Sequence, residues 1–289
     1  MILLCQGIRA QEMEARSYAV VPTGLHALAL SFTYSSGNVV TEGSSPVQDL
    51  NVTNKVFNLG YVQTFTLLKK LARVSASLPY GFLDGTARFH GIDTSGSRAG
   101  FYDGRIKFGM NLFGSPVSTP KEFQKFQEHT VFGASLVISV PVGQYFPSKL
   151  INLGSNRWGF KPEVGLSHRE GRLFYEGYAG VWFFTANNQF YNHTVLKQTA
   201  LFSFQAHVDY TFKKGKYLAL NGGFATGGET SLNSVPRQDD QDNWRIGGTF
   251  SLPVINNHQS LKFMLNTGVA TRAGQNYTAA TIAYQYNWF

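Results

Sequence analysis

Apolar and polar residues alternate strictly along residues 202–212 of this 289-residue chain. Every even position from Phe202 to Phe212 is apolar, and every odd position between them is polar. Successive side chains of a β-strand point to opposite faces, so this segment predicts a strand with one apolar and one polar face. The same period recurs at 105–112, 243–252 and 281–288, and more weakly near 25–35, 55–66, 71–80, 130–142, 158–169, 172–185, 216–226 and 259–271.

These twelve predicted strands have the length and spacing of a transmembrane barrel. They run for about 10–12 residues, whereas a strand tilted in a bilayer needs about 9–11 and soluble strands average about 5–6. Short connections lie near 67–70, 170–171, 213–215 and 254–258, with a longer one at 114–129 that could hold a short helix at 121–129. Long connections lie near 36–54, 81–103, 143–157, 186–198 and 227–242, and a short one lies near 272–275.

The pattern therefore predicts an all-β fold: an up-and-down antiparallel transmembrane β-barrel of about 12 strands. Such barrels have long loops on the extracellular rim and short turns on the periplasmic rim. The expected location is the bacterial outer membrane. Residues 19–289 would form one barrel domain. Residues 1–18 would form an N-terminal segment, either a truncated signal-peptide remnant or a frayed terminus.

Composition agrees with this fold and leaves one alternative. Charged residues make up only 15 % of the chain and aromatic residues another 15 %, and no apolar run approaches the ~18 residues of a spanning helix. A soluble barrel or sandwich would turn the apolar face inward and leave the polar face in bulk water. That face is mostly Ser, Thr, Gly, Ala, Asn and Gln, so it carries less charge than such a protein needs. Pro162 would remove a ladder donor from a closed sheet, so we expect a bulge or a strand start there.

The polar face supplies the candidate site, a set of inward-pointing polar side chains. Buried charges must be paired or solvated, so these residues either form a rigid network that fills the barrel or make a cationic lining that admits polar or anionic solutes. The predicted lining consists of Arg73, Arg105, Lys107, Asn111, Lys161, Glu163, Glu176, Gln205, His207, Asp209, Arg245, Lys262, Asn266, Arg272 and Gln285.

Several short motifs resemble those of a known family. They are Asn156–Gly165, Asn243–Gly247, Thr267–Arg272, Val140–Tyr145, and Ala15–Tyr18 followed by Pro22–Gly24. Their order and spacing along the chain together resemble those of the outer-membrane barrel family associated with phenol degradation by the meta pathway, whose members are often called transporters. The resemblance covers roughly residues 15–289 and implies a barrel that moves small hydrophobic or aromatic compounds. It also implies recognition by the barrel-assembly machinery through the last strand, although Phe289 has the opposite parity from Trp288.

The predicted function is passive uptake of small molecules through an outer-membrane channel. The alternatives are an outer-membrane hydrolase acting on lipids and a structural or docking barrel without transport. No catalytic, cofactor or metal residues are predicted. The seven histidines are scattered, Cys5 is the only cysteine, and His207 and Asp209 share the polar face without a serine motif. The expected partners are outer-membrane lipid and a small solute. Nucleic acid is not expected, because the +8 net charge is spread thinly along the chain.

Overall fold

The computed structural model describes residues 13–41, 47–191, 193–254 and 258–289, and β-strands dominate them. The strands are β1 (His26–Val40), β2 (Val47–Leu67), β3 (Lys70–Phe89), β4 (Ile92–Phe101), β5 (Gly104–Phe113), β6 (Thr130–Val140), β7 (Gly159–Glu170), β8 (Leu173–Phe184), β9 (Asn187–Phe190), β10 (Thr194–Gln198), β11 (Leu201–Thr211), β12 (Tyr217–Gly227), β13 (Thr230–Leu232), β14 (Val235–Pro236), β15 (Gln241–Pro253), β16 (Gln259–Thr271) and β17 (Gly274–Trp288). One helical turn, α1 (Pro120–Phe123), and a 3₁₀ turn (Lys213–Gly215) lie in the connections. Within the described ranges, no helix is long and apolar enough to cross a membrane.

Antiparallel pairing closes the described strands into a twelve-stranded barrel. β1 pairs with β2 on one side and with β17 on the other, so the first and last strands join. β4 and β5 occupy one position in the barrel, because β3 pairs with β5 through its first half and with β4 through its second. The predicted fold class is therefore confirmed.

The apolar face of the barrel points outward. Leu30, Phe57, Leu220 and Ile246 each have at least half of their surface exposed, while the residues that alternate with them are turned inward. A water-soluble protein would not expose a continuous apolar band of this kind. The soluble alternative, in which these side chains form the core, is wrong.

The two rims differ as the connections predict, with three changes. Residues 36–54 were expected to form a long loop, but β1 continues to Val40, β2 begins at Val47, and the two strands pair as far as Asn38↔Asn51. Residues 81–103 were expected to form a long loop, but β3 continues to Phe89 and β4 returns from Ile92 across a two-residue turn. β2 and β3 are longer than the roughly 9–11 residues that a bilayer requires, because strand pairing does not depend on lipid. Around the long-loop rim, the segments 187–198 and 230–236 form a separate sheet in the order β14-β13-β10-β9.

Pro162 lies inside β7, with its ring facing outward. The ladder between β7 and β8 stops after Phe160↔Phe183 and resumes at Glu163↔Gly180 in the same register. The expected bulge or strand start is absent, because the sheet tolerates the missing donor by leaving out two pairs.

An outward-facing residue near the middle of a strand tests the orientation of the sheet. We expect Ile246→Arg to destabilise the barrel in phospholipid vesicles by about 2–4 kcal/mol, because a cation then faces hydrocarbon. The measurement is equilibrium unfolding in urea, with Ile246→Ala as the control for lost packing. Equal stability of the two variants would show that this face does not meet lipid.

Candidate functional site: the barrel lumen

Residues 13–24, which precede β1, lie inside the barrel and are called the plug here. Met13, Ala15, Tyr18 and Val20 are buried, although no strand includes them. The plug contacts inward-facing side chains of every barrel strand from β3 to β12 except β4, as described below. It enters from the rim that carries both ends of the barrel and reaches the middle of the lumen.

Arg16 fixes the plug near the rim of the short turns. Its Nε donates to Asp209 Oδ2 at 3.2 Å and its terminal nitrogen donates to Thr211 Oγ1 at 2.6 Å. Its guanidinium also lies 4.0 Å from the centre of the Tyr217 ring. The Arg16 backbone N–H donates to Glu176 Oε2 at 2.6 Å, so both carboxylates bind the same plug residue.

Tyr18 occupies a fitted seat on β6, β7 and β8, and only 1 % of its surface is exposed. Its ring lies against Gly133 and Gly165, and it meets the Tyr178 ring edge to face at 5.3 Å between centroids. Its hydroxyl is 3.0 Å from Ser135 Oγ and donates to Glu163 Oε1 at 3.3 Å. Burial, aided by the Glu163 charge, raises the pKa of Tyr18, so its hydroxyl stays protonated and remains a donor.

Backbone carbonyls of the plug are held by donors from the barrel wall. The Arg73 guanidinium donates to Ser17 O and to Ala19 O, both at 2.8 Å. Asn111 Nδ2 donates to Tyr18 O at 3.1 Å. Hydrogen bonds from a charged donor are among the stronger ones in proteins, so Arg73 is a main anchor of the plug.

Glu163 lies at the centre of the lumen between two lysines. Lys161 Nζ donates to Oε2 at 2.7 Å, and Lys107 Nζ lies 3.4 Å from Oε1. Lys107 also donates to the plug through Ser17 Oγ at 2.6 Å. The carboxylate is therefore compensated and remains available as an acceptor for the Tyr18 hydroxyl.

The other predicted lining residues lie in different surroundings. His207 and Asp209 share the lumen face, but His207 Nδ1 pairs with Asn221 Oδ1 at 2.8 Å, whereas Asp209 pairs with Arg16. Gln205 Oε1 accepts from the Glu14 backbone at 3.4 Å. Arg245 is buried and donates to Tyr277 O at 2.8 Å.

The remaining predicted residues comprise four at partly exposed inward positions and Arg272, which lies outside the barrel interior. Arg105, Lys262, Asn266 and Gln285 are half-buried at inward positions of their strands. Arg272 follows the end of β16 in an exposed turn of the long-loop rim, where its guanidinium pairs with Asp240. Alternation could not place it, because the parity of a strand has no meaning in a turn.

The inward-facing residues of the barrel are buried unevenly around its circumference. The inward residues of β6, β7 and β8 are almost all buried, whereas those on the opposite side keep partial contact with solvent. We call the latter surface the far wall. It consists of Ala29, Ser31, Thr33, Asn58, Gly60, Asn266, Thr281, Ala283 and Gln285. These side chains are small or uncharged, and the half-buried cation Lys262 lies beside them on β16.

The lumen becomes apolar toward the long-loop rim. A buried cluster there contains Val39, Val47, Leu50, Val52, Val56, Leu83, Tyr102, Leu153 and Tyr277. Leu153 belongs to the connection between β6 and β7, which Asp103 draws inward by accepting from the backbone N–H of Gly143 at 3.2 Å and of Ser155 at 2.9 Å. This end of the lumen is therefore packed with apolar and aromatic side chains, in contrast to the charged centre.

Sequence reasoning left open whether the N-terminal segment through Tyr18 plugs the lumen, and it missed the seat of Tyr18. The available signal was a pair of glycines, Gly133 and Gly165, at inward positions of neighbouring strands, where they are direct cross-strand partners. Two such glycines mark a place where something packs close to the sheet. In the described part of the chain, no three His, Cys, Asp or Glu side chains are arranged to hold a metal ion.

Comparisons with known proteins agree with this geometry. The family model described as "Putative MetA-pathway of phenol degradation" matches residues 31–286. The COG4313 outer membrane channel from Pseudomonas putida F1 superposes with a TM-score of 0.82 at 17 % identity, over 96 % of this chain and 100 % of that one. The β-domain of the Bordetella autotransporter BrkA superposes with a TM-score of 0.55 at 10 % identity, over 92 % and 100 % of the two chains. No curated protein sequence matches significantly. Because both identities are low, these two similarities establish the fold alone, which is that of an outer-membrane barrel.

Replacing Arg73 tests how the plug is held. We expect Arg73→Met to speed hydrogen exchange of the amides at 17–20 by about tenfold to a hundredfold, because two hydrogen bonds from a charged group are lost. Arg88→Met is the matched control, since Arg88 pairs with Asp93 on the exposed ribbon of β3 and β4. Unchanged exchange in Arg73→Met would mean that other contacts hold the plug.

Proposed function

The chain belongs to this phenol-degradation family, and from that premise we propose that it is a bacterial outer-membrane channel through which small molecules diffuse. Hydrophobic or aromatic compounds are among the proposed solutes. The proposal places the short turns in the periplasm, lipid around the exterior, and the barrel-assembly machinery at the strand that ends beside Phe289. It treats the barrel as a channel and not as an enzyme.

The partial exposure of the far wall is the observation that carries the proposal. A barrel filled only for rigidity would bury its inward residues on every side, as β6, β7 and β8 do. Ser31 and Ala283, which are cross-strand partners at the β1–β17 seam, are instead half-buried. A lumen of twelve strands lies between the filled eight-stranded barrels and the open porins, so it can hold both a plug and a passage.

The apolar cluster near the long-loop rim supports aromatic solutes. Tyr102 and Tyr277 lie among its aliphatic side chains, and sites for small molecules are typically lined by such groups with a few polar ones. The structure with the 0.82 TM-score is likewise named an outer membrane channel. A lipid hydrolase has less support, because His207 bonds to Asn221 and not to Asp209.

Cations outnumber carboxylates in the described lumen. The cations are Arg16, Arg73, Arg105, Lys107, Lys161, Arg245 and Lys262, and the carboxylates are Glu14, Glu163, Glu176 and Asp209. Charged groups that line a pore set the sign of the ions it passes. The channel should therefore prefer anions over cations.

Blocking the far wall tests the passage. We expect Ala283→Trp to lower single-channel conductance in planar bilayers by roughly twofold or more, because an indole then stands in the open part of the lumen. Ala280→Trp is the matched control, since Ala280 lies on the same strand and faces outward. A wild-type barrel that inserts but never conducts would overturn the channel proposal.

Reversing one charge tests the selectivity. Lys262 is half-buried on β16 next to the far wall and is the cross-strand partner of Ala283. We expect Lys262→Glu to shift the reversal potential in a salt gradient toward cation selectivity, with Lys262→Gln giving an intermediate value. If both variants keep the wild-type potential, this lysine does not border the ion path.

A further inference from the structure

Tyr18 presents a phenol ring to the barrel wall in the manner of a bound ligand. Its ring and hydroxyl contact β6, β7 and β8, although Tyr18 itself belongs to a segment outside the sheet. The side chain of tyrosine is chemically p-cresol joined to the backbone. The residues around it therefore show what this wall recognises.

The shape of the seat depends on two glycines. A Cβ atom at Gly133 would lie 2.3 Å from the Tyr18 ring, and one at Gly165 would lie 2.1 Å from it. Neither glycine has a positive φ, so backbone conformation does not require them. Their lack of a side chain leaves a slot in which the ring packs against the sheet, and Tyr178 lies edge to face beside it.

The polar end of the seat recognises a hydroxyl group. Ser135 Oγ and Glu163 Oε1 lie 3.0 Å and 3.3 Å from the Tyr18 oxygen. Lys161 and Lys107 keep Glu163 in place as a charged acceptor, and Lys107 Nζ also lies 5.6 Å from the ring centre. An aromatic ring without a hydroxyl would lose both contacts and place no donor against Glu163, which disfavours its binding in a buried site.

We propose that the seat is a binding site for small phenols, which compete with Tyr18 and thereby release the plug from the middle of the lumen. The inference extends the proposed function, because a solute must first enter the lumen to reach the seat. Tyr18 has the advantage of its tether, which gives it an effective concentration in the range of mM. Free phenols should therefore compete at concentrations of that order.

If the Tyr18 ring is removed, the binding of a free phenol to the seat can be measured directly. Tyr18→Ala removes the ring and leaves the barrel ladder untouched, since residue 18 pairs with no strand. We expect the purified full-length variant to bind p-cresol at least roughly tenfold more tightly than toluene in calorimetry, because only p-cresol can donate to Glu163. Equal binding of the two compounds, or no binding of p-cresol, would overturn the proposal.

A second substitution tests whether this particular slot binds the ring. Adding Gly165→Ala to Tyr18→Ala places a methyl group where the ring would lie, so p-cresol binding should be lost. Adding Gly177→Ala instead should leave binding unchanged, because a Cβ at this outward-facing glycine of β8 has no atom within 4 Å. Equal p-cresol affinity in the two double variants would place any binding elsewhere.

The wild-type channel tests the competition itself. Its conductance should rise with p-cresol and not with toluene, and Tyr18→Phe, whose plug lacks the hydroxyl contacts, should respond at lower p-cresol concentration. If p-cresol leaves the conductance of both proteins unchanged, phenols do not displace the plug. Conductance of Tyr18→Ala without any ligand reports on the channel alone, so a failure of the phenol site and a failure of the channel proposal are distinguishable.

Discussion

Hydrocarbon offers no hydrogen-bond partners, and this absence determines the rest of the molecule. Every backbone N–H and C=O within the membrane must pair inside the sheet, so the sheet closes where β1 meets β17 over fifteen residue pairs. Closure separates the side chains into two environments. Leu30 and Ile246 face outward toward lipid, and Glu163 and Asp209 face the lumen. The strict alternation of apolar and polar residues along the sequence reflects these two environments.

The charged side chains of the interior need hydrogen-bond and ion-pair partners, and the barrel wall alone does not supply all of them. Arg73 lies beside Asn111, and its two shortest hydrogen bonds go to carbonyls of the plug. Asp209 likewise receives its charged partner, Arg16, from the plug. Desolvated charges are expensive unless they are paired. The plug therefore completes the polar network along one side of the lumen, while the neutral far wall needs no such partner and can stay in contact with water.

The sequence predicts the barrel well because lipid requires the same alternation of apolar and polar residues in every membrane-spanning strand. It predicts the inward parity of residues such as Lys107 and Glu163 for the same reason. The plug obeys no periodicity, so nothing local marks Arg16, Ser17 and Tyr18 as residues of the interior. Their partners lie on strands far along the chain, and only the closed fold brings them together. The extension of β3 and β4 beyond the membrane was missed because length limits derived from lipid do not apply there.

The position of the plug also constrains how the protein is made. Arg16 is separated by 160 residues from Glu176 and by 193 from Asp209, and closing loops of that length is slow. The surface that binds the plug is, moreover, formed by several strands, which must already be paired with one another. The plug is synthesised before the sheet, yet its contacts with Glu176 and Asp209 require β8 and β11 to be paired already. The segment that is synthesised first therefore reaches its native contacts only after the strands that bind it have paired.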